Sequence, residues 1–293
     1  MTAAAVGGVR RRRSPFSRRL TFGRVVVWVL VALLLSVMVA PMIWLLISSF
    51  KTQNEFLTGG IFALPEEWQW GNYVEAWITG SFATNVRNSV IATVPSLFLL
   101  LATGVAAGFA LEVMVWKGRN TTLLLFLAGI MVPGQMLLVP LFISYFRIGL
   151  TETYWPFILT YTAMGLPLTV FMMAAYFRSL PREIFEAATI DGASMLRSFV
   201  SVGIPMVTNA IVTLGLVQFF SIWNDLLVAL TFVTNPDLAT IQVGLLNFSG
   251  EYGATNYGPL FAAICLNVFG TLVIFLLLSK QIMKGMASGA IKG

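Results

Sequence analysis

The segment Ser179-Leu-Pro-Arg-Glu-Ile-Phe-Glu-Ala-Ala-Thr-Ile-Asp-Gly-Ala-Ser-Met-Leu-Arg-Ser-Phe-Val-Ser-Val-Gly-Ile-Pro205 lies between two long apolar runs and carries a pattern of its own. Ser179 has the side chain of an N-cap, and Pro181 fits the first turn, where no donor N–H is needed. Arg182 and Glu186 then stand four apart on one helix face. Asp191-Gly192 ends that helix, because glycine enters the left-handed region without a Cβ clash. A second short helix starts at Ser194 and reaches Val202, after which Pro205 opens the next apolar run. The expected unit is a helix–turn–helix with Ala187, Ala188 and Ala193 around its bend, where another chain could approach closely.

Composition says what surrounds this unit. Of 293 residues, 58% are hydrophobic and 10% charged, with a mean hydropathy of +0.85. A soluble domain carries about 25% charged residues, so most of this chain is solvated by lipid. There is no histidine, which removes the commonest general base and the commonest neutral metal ligand. The single Cys265 can form neither an internal disulfide nor a Cys-rich metal site. No metal and no catalytic residue is expected.

A membrane-crossing helix needs about 20 apolar residues, and six stretches qualify: 25–47, 88–111, 121–145, 155–177, 205–232 and 257–279. The fold class is therefore an all-α polytopic membrane protein with six transmembrane helices. The first stretch is too long for a signal-peptide core, and Met38-Val39-Ala40 is a poor cleavage site, so it reads as a retained span. Seven of the eighteen basic residues precede Val25: Arg10, Arg11, Arg12, Arg13, Arg18, Arg19 and Arg24. Arginines beside an apolar run hold that end in the cytoplasm, whereas a nucleic-acid-binding domain spreads its basic face over a folded surface. No nucleic acid is expected as a partner. With the amino terminus inside, fifteen Lys and Arg fall on the cytoplasmic side, and only Lys51, Arg87 and Arg147 fall outside. The expected organisation is a basic cytoplasmic tail (1–24), a first span with an external segment (25–85), a core of spans two to six (86–280) and a cytoplasmic tail (281–293).

The external stretch from Ser48 to Arg87 holds Trp68, Trp70, Tyr73 and Trp77 beside Glu55, Glu66, Glu67 and Glu75. Its first reading is an interfacial loop with rings at headgroup level; its second is a docking surface for an external partner. Pro133-Gly134-Gln135 and Pro140 interrupt span three, and Gly165-Leu166-Pro167 interrupts span four. Such breaks sit against protein or a polar cavity, which makes Pro133 and Gln135 candidates for a translocation path, with plain packing kinks as the alternative. Asp225 is the only acid placed within a span. At 1.5 Å per residue it stands about 30 Å above Pro205, so a gate or cavity acid and a wetted helix end both remain open. Gln218, Trp223 and Asn224 precede it, offering hydrogen bonds and an aromatic face of the kind sugars use. Gly104 and Gly108 have the small-xxx-small spacing of helix packing.

Glu186-Ala187-Ala188, then Asp191-Gly192-Ala193, Phe199 and Gly203-Ile204-Pro205 before a span, resembles the EAA loop of ABC importer permeases. One departure is Asn209, where the sugar-importer pattern often has a second proline; it bears on the kink of span five and not on coupling. Ser48-Ser-Phe-Lys51, Trp223-Asn224-Asp225 and the ending Gly285–Gly293 look like the second permease of maltose-type carbohydrate importers. The resemblance implies a type I importer permease (MetI-like) fold in the cytoplasmic (inner) membrane. It implies that Glu186, Ala187, Ala188, Asp191, Gly192, Ala193 and Pro205 belong to a coupling element seated in an ATPase subunit.

No G-x-x-x-x-G-K-[ST] phosphate cradle occurs in the chain, so the resemblance places ATP and Mg on that partner and no cofactor here. The other implied partners are a homologous permease subunit, a second ATPase completing the dimer, an extracytoplasmic solute-binding protein and a sugar. Three competing readings stand beside this one. The loop is an amphipathic helix with Phe185 and Ile190 dipping into headgroups; the same fold imports a peptide, amino acid or glycerol phosphate; or the chain is an ion-coupled transporter. The last commonly needs membrane-embedded carboxylates and inverted repeats, and one doubtful Asp and no visible repeat oppose it.

Overall fold

The computed structural model describes residues 22–248 and 255–290, and no β-strand occurs among them. The basic tail 1–24 lies outside the described residues as far as 21, and the last three residues of 281–293 do as well. The chain divides into two compact units, 1–45 and 46–293. The first is described by α1 (Phe22–Ser48), whose last residues enter the second unit. Its stretch Val25–Ser48, 24 residues long, is apolar enough to cross a membrane.

The second unit opens with two short helices, α2 (Gln53–Thr58) and α3 (Gly71–Trp77). Between and around them the segment folds on Phe50, whose ring meets Trp68 at 5.0 Å, Trp70 at 4.7 Å and Tyr73 at 5.1 Å between centroids. The Asn72 amide donates to the carbonyls of Ser49 (2.9 Å) and Lys51 (3.0 Å), and buried Lys51 donates to the Gly60 carbonyl at 3.2 Å. The Ser48–Lys51 motif is thus the centre of a built structure, and the aromatic residues read as headgroup anchors partly serve it.

The bundle follows: α4 (Phe82–Glu112), α5 (Arg119–Ile130), α6 (Leu138–Arg147), α7 (Trp155–Arg178), α8 (Arg182–Ile190), α9 (Met195–Ser198), α10 (Ile204–Trp223), α11 (Leu227–Phe232), α12 (Ile241–Gly244) and α13 (Tyr257–Ala290). The start of α4 at Phe82 carries that helix through the 85/86 boundary expected between external segment and core. Its axis runs parallel to α7 in one register. A Cβ on Gly104 would stand 2.5 Å from Thr169 Cγ2, and one on Gly108 would stand 2.6 Å from Met173 Cβ and 2.9 Å from the Ala174 nitrogen. The small-xxx-small spacing does what the sequence predicts: it lets two backbones touch.

Two expectations need correction. Span three is not one helix over 121–145, because α5 and the stretch Gly134–Arg147 meet at 89°. Pro133, extended at φ −63° and ψ 112°, donates no N–H and biases the residue before it away from helix. Among the described residues five helices are long and apolar enough to span, and six if the bent pair counts as one span. Span five, expected at 205–232, is instead a continuous helix from Met195 to Trp223, and α11 is separate. Pro205 stands in the first turn of α10 as expected, but the helical run does not break before it and continues back to Met195. A π-turn over Phe199–Gly203, closed by the Ile204 N–H on the Phe199 carbonyl, joins α9 to α10 and absorbs the proline that an α-helical turn would exclude.

Candidate coupling loop and path

The loop is built as the sequence foresees, with one exception. Ser179 does not cap α8: it ends α7, its hydroxyl donating to the Tyr176 carbonyl at 2.8 Å, and Pro181 takes the N-cap position. The other end of α8 closes as expected. Gly192 has φ +78°, the Ala193 N–H reaches the Ala188 carbonyl at 2.9 Å, and the Gly192 N–H reaches Thr189 at 3.0 Å. That bonding satisfies the last carbonyls of the helix and requires a left-handed residue. Ser194 Oγ then accepts the Arg197 N–H at 3.3 Å and starts α9.

Ile184, Phe185 and Ala188 of α8 are half-buried, whereas Glu186, Ala187, Thr189 and Ile190 are exposed, as are Asp191 and Gly192 beyond it; Ala193 is half-buried. Phe185 enters the apolar cluster formed by Val105, Phe109, Met173, Phe177 and Val207. Ile190 is 85% exposed on another face, so Phe185 and Ile190 do not dip together into headgroups. Beside α8 lies a cleft of about 220 Å³ lined by Glu112, Arg178, Arg182, Glu186, Thr189 and Met195. Arg178 and Glu112 pair across it, tying the ends of α7 and α4. Among the described residues no hydrogen bond links α8 to a span.

Some of the path candidates lie around Gly165–Pro167 of α7, which stays one helix from Trp155 to Arg178. Gly134 backs Met164 and Gly129 backs Pro167, so the α5/α6 break wraps Gly165–Pro167 from one side, with Pro133 and Gln135 exposed there. Gln218 comes from α10 on the other side, 6% exposed, its amide donating to Thr169 Oγ1 at 3.2 Å and to the Gly165 carbonyl at 3.4 Å. About two turns on from Gln218, Asp225 sits in the break between α10 and α11. Its Oδ1 accepts the Val228 N–H at 2.8 Å and the Tyr161 hydroxyl at 3.1 Å. It thus sits half-buried at a helix end. Trp223 donates to Asn267 Oδ1 at 3.2 Å, and Asn224 is exposed.

Sequence reasoning passed over a second polar constellation. Asn85, Asn88, Ser89, Thr93 and Ser96 recur at helical spacing along α4, and all are buried. Asn88 donates to the carbonyls of Asp237 (2.7 Å) and Ala239 (2.9 Å) and accepts from the Tyr154 hydroxyl (2.7 Å), while Ser89 accepts the Ile241 N–H at 2.9 Å. The spacing was the available signal.

Fold and loop together define a class. Residues 101–280 match the binding-protein-dependent transport system inner membrane components, and the chain belongs to that family, the permeases of ABC importers. Among individual proteins it is similar to the probable ABC transporter permease YurM of Bacillus subtilis (strain 168), 32% identical over 94% of this chain and 91% of that one. It is 33% identical to the diacetylchitobiose uptake permease NgcG of Streptomyces coelicolor, over 87% and 85%. It is 32% identical to the melibiose/raffinose/stachyose import permease MelC of Bacillus subtilis, over 86% and 91%. A solved bacterial ABC transporter involved in import of the acidic polysaccharide alginate shares the fold: TM-score 0.78, 21% identity, 91% of this chain and 99% of that chain. A second alginate ABC transporter structure, in complex with an alginate pentasaccharide-bound periplasmic protein, has TM-score 0.60, with 17% identity over 86% and 92%. The expected polytopic importer-permease fold is the observed one.

Proposed function

We propose that this permease imports a neutral di- or oligosaccharide as one half of a permease heterodimer, with α8 seated in a cytoplasmic ATPase subunit. ATP and Mg²⁺ bind that ATPase, an extracytoplasmic binding protein delivers the sugar, and both termini lie in the cytoplasm. The relatives named for diacetylchitobiose and for melibiose, raffinose and stachyose support the substrate class, and the periplasmic protein in the alginate complex supports the delivery step. Fifteen cytoplasmic basic residues against three support the orientation.

The observation that carries the coupling role is the exposed edge Glu186, Ala187, Ile190, Asp191 and Gly192 on a helix that no hydrogen bond holds to the bundle. A partner that seats this edge can displace it. Pro205 contributes from within the span by enforcing the π-turn. The sugar passes beside the Gly165–Pro167 turn of α7, lined by Pro133, Gln135, Trp223, Asn224 and Asp225, with Gln218 bonded to that turn.

The test is uptake of labelled diacetylchitobiose, melibiose and raffinose by the four-subunit transporter with its binding protein in liposomes. Glu186→Ala lowers uptake by about tenfold or more, equivalent to about 1.4 kcal/mol of coupling. Gly192→Val, which forces a β-branched residue to φ +78°, does the same at unchanged membrane level. Undiminished uptake in both variants overturns the reading.

A further inference from the structure

Phe109 of α4 lies where four elements meet. Phe177 of α7 stands against it at 5.4 Å between centroids, Phe185 of α8 at 5.8 Å and Phe199 of the π-turn at 5.0 Å. Gly203 presents bare backbone to the same ring, since a Cβ there would sit 3.3 Å from Phe109 Cδ2. Phe109 itself is 3% exposed. The Gly104 and Gly108 contacts and the Arg178–Glu112 pair fix α4 and α7 to each other on either side of it.

The contacts to that post differ in kind. Rings packed edge to face attract over a range of angles, whereas a hydrogen bond fails when its angle closes. Phe185 is half-buried, no hydrogen bond joins α8 to the spans, and the 220 Å³ cleft leaves room beside the helix. Phe199 belongs to a five-residue π-turn, a local widening of the kind that occurs as a single turn inside α-helices, often at functional sites. α8 and the π-turn can thus turn on the Phe109 ring without breaking a hydrogen bond to α4 or α7; the bonds from Gln218 of α10 to Thr169 and Gly165 of α7 lie about four turns further along.

We infer that Phe109, Phe185 and Phe199 form a mechanical joint that converts displacement of α8 into movement of α10 against the α4–α7 post. Phe185 and Phe199 are positioning residues: they touch neither nucleotide nor sugar. The inference rests on the proposed seating of α8 in an ATPase.

The experiment uses the full transporter with Cys265→Ser. Ile190→Cys reports α8 docking by cross-linking to the ATPase. Spin labels on Ser221→Cys of α10 and Phe98→Cys of α4, both exposed, report movement of α10 against the post when a non-hydrolysable ATP analogue binds. Phe185→Ala keeps the cross-link and reduces the nucleotide-driven distance change to less than about half; Phe185→Leu, which restores apolar volume without the ring, gives an intermediate change. Phe199→Ala behaves as Phe185→Ala does, and Phe185→Leu serves where an alanine variant fails to assemble. A full distance change in these variants overturns the joint, and so does loss of the cross-link, which would make the rings mere supports for docking. Absence of the cross-link in the unsubstituted joint overturns instead the seating on which the inference rests.

Discussion

Asn88 and Phe109 occupy the same helix and do opposite jobs. At the far end of α4, Asn88 ties the 237–239 backbone and Tyr154 through three hydrogen bonds of 2.9 Å or less. At the loop end, Phe109 gathers α7, α8 and the π-turn through rings alone. Around Asn88 the polar pattern repeats: Ser89 holds Ile241, Thr234 holds Thr151, Gln53 holds Thr255 and Tyr257, and Asn256 holds Glu75. Around Phe109 the one long-range side-chain polar contact among the described residues is Arg178–Glu112. Directional bonds fix a geometry, and apolar packing fixes a volume while leaving angles adjustable. The lesson is that one subunit is built stiff at one end of α4 and yielding at the other, the end at which the proposed coupling would apply force.

The comparison breaks first at Asn88 if it is wrong. Asn88→Leu keeps the side-chain size, strands the Asp237 and Ala239 carbonyls and the Tyr154 hydroxyl, and costs about 3 kcal/mol. The thermal midpoint of the purified transporter in detergent falls measurably, and hydrogen exchange rises over 234–244. A variant as stable as the parent would show that the far end is held by its apolar clusters and not by its amides.

How much of this was legible in the chain depends on how local each cause is. Gly192 was readable because a helix end followed by a left-handed residue is decided within a few positions, and Gly104 with Gly108 was readable because four-residue spacing fixes a face. The bend at Pro133 was seen as an interruption but not as a right angle. A proline permits a turn; Met164 and Pro167, brought in by α7, fill its inside. Pro205 stands at the start of α10 as read, but the unbroken run before it was not legible, since the π-turn that accommodates it is supported by Phe109 and Phe177 against Gly203 from distant parts of the chain. Phe109 itself was hidden among 23 phenylalanines, where composition cannot distinguish a hub from a lipid-facing ring. Rise per residue brought Asp225 towards the far end of its span but did not show that α10 stops at Trp223, and its partner Tyr161 was invisible.

A smaller effect sharpens the other half of the comparison. Arg178 is 65% exposed in its pair with Glu112, so solvent and salt screen most of the attraction. Arg178→Ala therefore lowers stability by less than about 1 kcal/mol, and raising the salt removes the difference between variant and parent. A loss above about 2 kcal/mol would mean that a polar lock, not ring packing, secures the loop end.

The smallest effect concerns pH at the far end. The Thr52 N–H (2.7 Å), the Glu66 N–H (2.7 Å) and the Thr52 hydroxyl (2.8 Å) all donate to the Glu55 carboxylate and hold it below its usual range, the Thr52 backbone contributing most. A depressed carboxylate stabilises the fold fully above its unfolded pKa, and the contribution disappears as pH falls through the lower folded value. The sign is therefore loss on acidification, beginning below about 4.5, the ordinary value. Glu55 is solvent-accessible, so the effect is local: the amides of Thr52 and Glu66 lose exchange protection between about pH 4.5 and pH 3, relative to intrinsic exchange at each pH. Glu55→Gln, which accepts more weakly, shows part of that loss at neutral pH and none of the acid dependence. If the parent's protection is flat across the window, these donors do not hold the segment, and its stability rests on the rings packed around Phe50.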